Sequence, residues 1–179
     1  MEGFLSLSVP VNLVSRKFIF WSTMNSTDLA RFVEQNEIEA QILHLQSETP
    51  TVAAAAEAAG VEPEQIIKSV LFIADGRPVL VIANGLTRIL RKRLADELAM
   101  SRRRVKMADG RQVEEITGYP IGAVPPFGHP QKLDTLLDEG VLQLAEVLGG
   151  GGETNALMRV TVPELQRVTS GLIVDIADR

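Results

Sequence analysis

Two neighbouring apolar runs, separated by a two-residue turn, form the clearest pattern in the chain. Residues 66–74 and 78–83 are apolar on both faces, and Asp75-Gly76 between them is a typical hairpin turn. Strands that are apolar on both faces are typical of the middle of a covered sheet. We therefore predict a β-hairpin near the centre of the fold.

Helical and strand patterns alternate irregularly along the rest of the chain. Helices are predicted after Ser26 or Thr27, over 52–59, through the leucine stripe at 86–98, over 112–117 and from Pro163. Strands are predicted over 41–45, 105–108, 132–137, 141–148, 156–160 and 172–176. Because this order lacks the regular βαβ period, the pattern predicts a mixed α/β (α+β) fold rather than a doubly wound sheet.

The first 23 residues differ from the rest. Their apolar positions are interrupted by Pro10, Asn12 and the Arg16-Lys17 pair, so they do not predict a membrane span. Glu2 stands where a secretory signal would be basic. Met24 is followed by Asn-Ser-Thr-Asp, which is typical of a helix start. We expect one functional domain over residues 24–179, with residues 1–23 an extension or a misassigned start.

The composition excludes several classes of chemistry. The chain has no cysteine, which removes disulfides and thiolate nucleophiles. Its two histidines, His44 and His129, have no metal-ligand spacing, so we expect no metal and no cofactor. The net charge of -5 argues against coating nucleic acid by bulk electrostatics, although local contact with a few phosphates stays open. The lack of cysteine fits a reducing compartment, and we expect a cytoplasmic protein.

Lys68 is the anomaly of the first predicted strand. Strand alternation places it on one face with Ile66, Val70 and Phe72, where an unpaired ammonium is strongly disfavoured. Either the side chain reaches solvent or a carboxylate, or it lines a pocket that binds an anion or a polarised carbonyl. Ser69 is predicted to point the opposite way, which weakens it as a nucleophile.

Residues 117–130 form a loop with four prolines and three glycines in fourteen positions. Such a loop can hold several backbone N–H groups toward one point and so bind an oxyanion or a carbonyl. The alternative is a rigid connector between elements. Residues 149–152 are a run of glycines that predicts a second, less specific loop.

The order of these segments resembles the YbaK/prolyl-tRNA-synthetase-associated domain family of aminoacyl-tRNA editing deacylases. An alanine-rich helix precedes Lys68, and Gly122-Ala-Val-Pro-Pro126 matches the GxxxP loop of that family. The resemblance runs from Met24 to the C-terminus. It implies a central mixed, partly barrel-like sheet flanked by helices, and hydrolysis of the ester between a wrong amino acid and tRNA. As no synthetase is attached here, the chain resembles the free-standing members.

The resemblance also implies roles for particular residues. Lys68 would contact the substrate carbonyl or the terminal adenosine, and the backbone from Gly122 to Pro126 would cradle the aminoacyl group in the same pocket. The residues carried over as catalytic are Lys68, Gly122 and Pro126. Those carried over as substrate-binding are Thr117, Gly118, Ala123, Val124, Pro125, Phe127, His129, Gly151 and Asn155, the last two as the far wall of the pocket. The tRNA acceptor end is the implied partner, and prolyl-tRNA synthetase is a second candidate partner.

A basic cluster adds a local feature that the family does not supply. Eight of the 18 Lys and Arg residues lie within positions 88–106. They are either a solvated helix face or a phosphate contact, and we assign the second role to Arg102, Arg103 and Arg104.

Three functions remain open at the level of sequence. The first is deacylation of mischarged tRNA, chiefly alanyl- or cysteinyl-tRNA(Pro), by a positioned water. The second is a module that binds a tRNA end, a nucleotide or a protein without hydrolysis. The third is hydrolysis of another small aminoacyl ester. His129 is predicted to be a loop hydrogen bonder rather than a general base, and His44 to be structural.

Overall fold

The computed structural model describes residues 23–178, in which five α-helices and ten strands follow an irregular order. Residues 1–22, which hold almost all of the predicted N-terminal extension, lie outside the described part. The helices are α1 (Ser26–Gln35), α2 (Val52–Ala59), α3 (Arg91–Glu97), α4 (Gly110–Thr117) and α5 (Val162–Thr169). The strands are β1 (Ala40–His44), β2 (Ile67–Ala74), β3 (Arg77–Asn84), β4 (Arg88–Ile89), β5 (Val105–Met107), β6 (Asp134–Asp138), β7 (Glu146–Gly150), β8 (Ala156–Thr161), β9 (Leu172–Val174) and β10 (Ala177–Asp178).

Two sheets carry the fold. The larger has the order β5-β2-β3-β6-β9, in which β2 and β3 are antiparallel and β6 runs parallel to both neighbours. The smaller is antiparallel, with the order β1-β8-β7. A single parallel bridge between Ile66 and Leu148 joins them. The architecture is the predicted mixed α/β fold. The sheets formed by the described strands do not close into a barrel, which corrects the expectation of a partly barrel-like sheet.

The predicted hairpin is the centre of the larger sheet. β2 and β3 pair from Ile67–Asn84 to Ala74–Arg77, and β3 is buried over most of its length. One face of the sheet packs on α1, α4 and α5 through a large core that includes Leu71, Leu80 and Ile82. The other face packs on α3 through Phe72, Val79 and Val81. Because both faces are covered, the double-sided apolar pattern is confirmed.

The leucine stripe at 86–98 predicts one helix, and that prediction is wrong for its N-terminal half. Leu86 is 56% exposed in a turn, and Ile89 lies in β4, paired with Ala177 of β10. α3 begins only at Arg91, after Leu90 in an extended conformation. The short strand pair competes with the helix for these residues, and it breaks the 3.6-residue period.

Residues 141–148 are predicted as one strand, but a 3-10 helix over Glu139–Gln143 replaces its first part. The buried carboxylate of Asp138 caps this helix by accepting a hydrogen bond from Gly140 N at 3.0 Å. The same carboxylate accepts from Ile176 N and Ala177 N. One side chain therefore ties the end of β6 to the C-terminal segment, which an apolar pattern does not reveal.

None of the described helices is both long and apolar enough to cross a bilayer.

Candidate functional site

Lys68 projects from β2 toward the α3 side of the sheet. Its ammonium donates to Gly85 O at 3.3 Å and to Thr87 O, and no carboxylate of residues 23–178 is ion-paired with it. Burial lowers the pKa of Lys68 from its ordinary value. Since a Lys ammonium has three N–H donors, two carbonyl partners leave one donor for a ligand.

The turn after β3 positions the carbonyl groups of Gly85 and Thr87, which accept hydrogen bonds from Lys68. Asn84 Oδ1 accepts from Leu86 N at 2.8 Å, and Thr87 Oγ1 donates to Asn84 O at 3.0 Å. A Cβ on Gly85 would lie 2.8 Å from Val52 Cγ2 and 2.9 Å from Ile66 O, so only glycine fits there. Sequence reasoning missed this turn, although Asn-Gly is a strong turn signal.

Lys68 lines a cleft of about 840 Å³. Val70 and Phe72 line the same cleft as Lys68, so the predicted alternation is confirmed for these two residues. Ile66, predicted on the same face, precedes β2 and packs instead against α2 and Leu148. Most of the remaining lining is basic or apolar. The lining residues are Lys68, Val70, Phe72, Arg88, Ile89, Leu90, Arg91, Lys92, Arg93, Asp96, Arg102 and Met107.

The start of the Gly/Pro loop is structural rather than exposed to a ligand. Thr117 is fully buried, and its hydroxyl donates to Val113 O at 2.7 Å and accepts from Tyr119 N. Gly118 ends α4 with φ +80°, and a Cβ there would lie 2.6 Å from Met24 Sδ. Both residues fix the direction in which the chain leaves α4.

The GxxxP segment presents backbone rather than side chains. Ala123 N donates to Pro120 O, and Ala123 O accepts from Gly152 N, both near 3.0 Å. The N–H groups of Gly122 and Val124 have no hydrogen-bond partner within residues 23–178. Pro125 and Pro126 are buried and have no N–H to donate.

The glycine run lies directly under this segment. Gly149 and Gly150 end β7, which corrects the prediction of a loop for those two positions. A Cβ on Gly150 would lie 2.5 Å from Val124 O and 2.7 Å from Ala123 C. Gly151 N donates to Ala156 O, and Asn155 O accepts from Leu45 N. Gly150 and Gly152 therefore contact the loop, whereas Gly151 and Asn155 form hydrogen bonds within and beside the β7–β8 connection.

His129 is neutral and internally bonded. Its Nε2 lies 3.0 Å from Pro125 O, so Nε2–H donates to that carbonyl. Burial lowers the pKa of His129 to about 4. Phe127 packs on Phe32, and the hydroxyl of Tyr119 donates to Gly128 O. These contacts make His129 a brace of the loop, and they leave its Nδ1 a weak base.

Lys68 and Pro126, the last residue of the GxxxP segment, lie on different sides of β2. Ile67 Cγ1 and Pro126 Cδ lie 3.3 and 3.4 Å from the position of a Cβ on Gly149, so Pro126 packs on the Ile67 face. Ala123 and Val124 lie instead against the Cβ position of Gly150, which points to the opposite face because Gly150 is the next residue of β7.

Pro126 and His129 line a separate cavity of about 250 Å³. Lys68 and Pro126 therefore line separate cavities, and the expectation that Lys68 and the Gly122–Pro126 backbone share one pocket stays a prediction. Ser69 shares the Ile67 face, and its buried Oγ has no partner in the described part of the chain.

Comparison with known proteins decides the family. Residues 46–168 match the sequence profile of the aminoacyl-tRNA editing domain. The chain belongs to the aminoacyl-tRNA editing domain family.

Relatives of this editing domain occur alone and within larger enzymes. It is 30% identical over 128 residues to the uncharacterized protein YwhH of Bacillus subtilis, covering 71% of this chain and 80% of that protein. It is also 30% identical over 135 residues to a proline–tRNA ligase of Bacillus licheniformis, covering 74% of this chain. The chain spans only 22% of that ligase.

A solved structure supports the same placement. The editing domain superposes with a TM-score of 0.80 on a candidate trans-editing enzyme for prolyl tRNA synthetase, with 30% identity. The superposition covers 86% of this chain and 97% of the other. The mixed α/β fold of the editing domain is thus that of its structural relatives.

The predicted phosphate-binding arginines of the editing domain separate into different environments. Arg104 forms a two-point ion pair with Asp75 across the β2–β3 turn, with Nε 2.9 Å from Oδ1. Arg102 lines the cleft that contains Lys68, whereas Arg103 lines neither cavity. All three lie in a 3-10 helix over Arg102–Arg104, but only Arg102 shares a cavity with Lys68.

No group of three His, Cys, Asp or Glu side chains suited to a metal ion occurs among residues 23–178.

Proposed function

We propose that this chain hydrolyses the ester bond of mischarged aminoacyl-tRNA and releases the wrong amino acid in trans. The observation that carries the proposal is the pair of unpartnered N–H groups, on Gly122 and Val124, in the loop of an editing-family chain. The names of two relatives, a proline–tRNA ligase and a candidate trans-editing enzyme for prolyl tRNA synthetase, favour tRNA(Pro) as the carrier. Alanyl- and cysteinyl-tRNA(Pro) are the substrates to test first.

The proposed hydrolysis needs few catalytic groups from the protein. An aminoacyl ester is already activated, so positioning a water and stabilising the oxyanion lowers the barrier enough. The N–H groups of Gly122 and Val124 would donate to the carbonyl oxygen as it gains charge. His129 is braced against Pro125 O, so no side chain would take the proton of the water. The water would pass that proton to the neighbouring ribose hydroxyl of the substrate, and this hydroxyl would give its own proton to the departing ester oxygen.

The position of Lys68 favours one of its two implied roles. Its ammonium is held in the basic cleft by the carbonyls of Gly85 and Thr87. A lysine in that place would hold the terminal nucleotide of the tRNA rather than the scissile carbonyl. Lys68 would then act mainly on substrate binding, and the loop mainly on the chemical step.

A second function, binding of a tRNA end without hydrolysis, is favoured by one observation. Within residues 23–178 the loop offers only backbone donors and a neutral, hydrogen-bonded His129, with no free general base. A catalytically silent module needs no such base, and neither does substrate-assisted hydrolysis. The geometry is therefore compatible with both functions, and a rate measurement distinguishes them.

Deacylation of preformed alanyl- and cysteinyl-tRNA(Pro) separates the two functions. We expect the wild type to release the amino acid from at least one of them faster than buffer and to spare prolyl-tRNA(Pro). Binding of all three without release would support the module. Release only from small aminoacyl esters that lack tRNA would support the third function, hydrolysis of another ester.

A further inference from the structure

The cleft beside Lys68 has a strongly one-sided charge. Six of its lining residues are basic and one, Asp96, is acidic. The basic residues are Lys68, Arg88, Arg91, Lys92, Arg93 and Arg102. The chain as a whole carries a net charge of -5, so this concentration of positive charge is local. A cleft lined by one sign of charge attracts a ligand of the other sign.

Most of these cations are not neutralised by the protein. Arg93 pairs with Asp175 at 2.9 Å, but Arg88, Arg91, Lys92 and Arg102 form no ion pair within residues 23–178. These four side chains are exposed. Paired cations elsewhere, such as Arg104 with Asp75, show that this chain does neutralise some of its arginines. The unpaired cations of the cleft are therefore free to contact an anion.

The floor of the cleft is apolar, which narrows the class of anion. Val70, Ile89 and Leu90 line it, and Met107 stands 64% exposed at the end of β5. Inorganic phosphate does not use an apolar surface, whereas a nucleotide strand brings phosphates and flat apolar bases together. The chemistry of the cleft thus fits a polynucleotide better than a small anion.

The cleft is elongated along β2. Lys68 and Phe72 are four residues apart on one face, which corresponds to about 13 Å at 3.3 Å per residue. The Lys68 ammonium donates to Thr87 O, so Arg88, the next residue, lies at the Lys68 end of the cleft. Arg102 lies shortly before β5, and β5 pairs with β2 from Phe72 onward. Arg102 therefore lies toward the Phe72 end of the cleft. Cations therefore follow the whole length of the floor, which is more than one phosphate requires.

We propose that this cleft binds the single-stranded 3′ end of an RNA. The phosphodiester groups lie along Arg88, Arg91, Lys92 and Arg102, and the last nucleotide lies at Lys68. The inference rests on the proposed function only for the identity of the strand, the acceptor end of tRNA. It also revises the phosphate contact predicted from sequence, since Arg103 and Arg104 fall outside the cleft.

Salt-dependent binding of an uncharged RNA tests the proposal without any hydrolysis. The probe is an RNA hairpin with a single-stranded CCA 3′ end, and its Kd is measured by fluorescence anisotropy over a range of salt concentrations. Removing one cation that touches a phosphate of a single strand makes the slope of log K against log salt shallower by about 0.7. We expect that change for Arg91→Ala and for Arg102→Ala, and about twice that change for the double variant R91A/K92A.

Arg103→Ala and Arg111→Ala are the matched controls. Both remove an exposed arginine that lines neither cavity, and Arg111 lies on α4. We expect both to keep the wild-type slope, and circular dichroism shows whether each variant is folded. A blunt-ended RNA hairpin should bind more weakly than the CCA probe and respond less to R91A/K92A.

Several results would overturn the proposal. These are undetectable binding of the CCA probe at low salt, equal effects of Arg103→Ala and Arg102→Ala, or equal effects of R91A/K92A on blunt and CCA-ended probes. An acidic peptide that binds the cleft more tightly than RNA would also reject it. Cleft-dependent RNA binding without deacylation would reject the proposed function and support this inference, and the reverse result would reject only the inference.

Discussion

The cleft at Lys68 and the loop at Gly122–Pro126, the two regions proposed to contact an anionic substrate, are built in opposite ways. The cleft uses long cationic side chains on exposed positions, and most of them are not held by other residues. The loop offers two backbone N–H groups without a partner among residues 23–178, in a segment that holds two prolines and packs on glycines. The first arrangement gives affinity that salt screens, and the second gives a rigid geometry suited to a developing charge. Substitutions in the two regions should therefore fail in different ways.

The largest effect is expected from Gly150→Val. Its Cβ would lie 2.5 Å from Val124 O, and both nearest groups are backbone that cannot rotate away. The loop would have to move, and losing a preorganised oxyanion donor costs about 10²–10³-fold in rate. Single-turnover deacylation at saturating enzyme measures this loss.

Gly76→Ala is the control for the Gly150 variant. Gly76 has φ +80° and open space around its Cβ position, but it lies in the β2–β3 turn. The variant should be strained by about 1–2 kcal/mol and keep the wild-type rate. Comparable rates for Gly150→Val and Gly76→Ala would show that the loop geometry is not catalytic.

Lys68→Ala should lower kcat/KM chiefly by raising KM. In the proposed function the Lys68 side chain holds the terminal nucleotide, and uniform binding energy appears in KM rather than in kcat. Lys68→Arg keeps the charge and should recover part of the affinity. A fall in kcat with unchanged KM would instead place Lys68 at the carbonyl and remove the contrast between the two regions.

Acid should destabilise the loop through His129. Burial lowers the pKa of His129 to about 4 in the folded protein, below its ordinary value of 6.5. Between these values the unfolded chain binds a proton that the folded chain does not, so the free energy of unfolding falls as the pH falls from about 6.5 to 4. In His129→Gln this position does not titrate, so the variant does not lose stability through it as the pH falls. The Tm of the wild type should therefore approach that of the variant as the pH falls through that window. A difference that does not change between pH 7 and 4 would contradict the burial of a neutral imidazole.

Two hydroxyls should give the smallest and most contrasting effects. Thr117→Val removes a hydroxyl that bonds Val113 O and Tyr119 N, and should cost about 1–3 kcal/mol because buried partners are left unpaired. Ser69→Ala removes a buried hydroxyl without a partner in the described chain and should leave the stability unchanged or higher. Urea unfolding of both variants tests this contrast. A larger loss of stability for Ser69→Ala than for Thr117→Val would contradict it.

Sequence is a good guide where the signal is local. The β2–β3 hairpin follows from turn chemistry, and the helix predicted over 112–117 corresponds to the greater part of α4. The helix predicted over 86–98 fails in its first half because β4 pairs with β10, about 88 residues further along the chain. Such a distant pairing leaves no mark on the local period of hydrophobic residues.

The site is harder to predict than the fold. Residue types identify Lys68 and the GxxxP loop, but not that Lys68 and Pro126 line separate cavities, since that depends on where β7 and its glycines pack. Similarly, Arg102, Arg103 and Arg104 are alike in sequence. Only the position of Asp75 and the course of the 3-10 helix distinguish them. Three-dimensional neighbours decide these roles, and no spacing rule supplies them.

The most direct test is the single-turnover rate of alanyl-tRNA(Pro) deacylation, measured as a function of enzyme concentration for three proteins. We predict a clear enzyme-dependent rate for the wild type and recovery of most of that rate by Lys68→Ala at high enzyme concentration. Gly150→Val should stay slow at every concentration at which it is folded. A wild type that binds alanyl- and cysteinyl-tRNA(Pro) but never exceeds the rate in buffer would contradict the account.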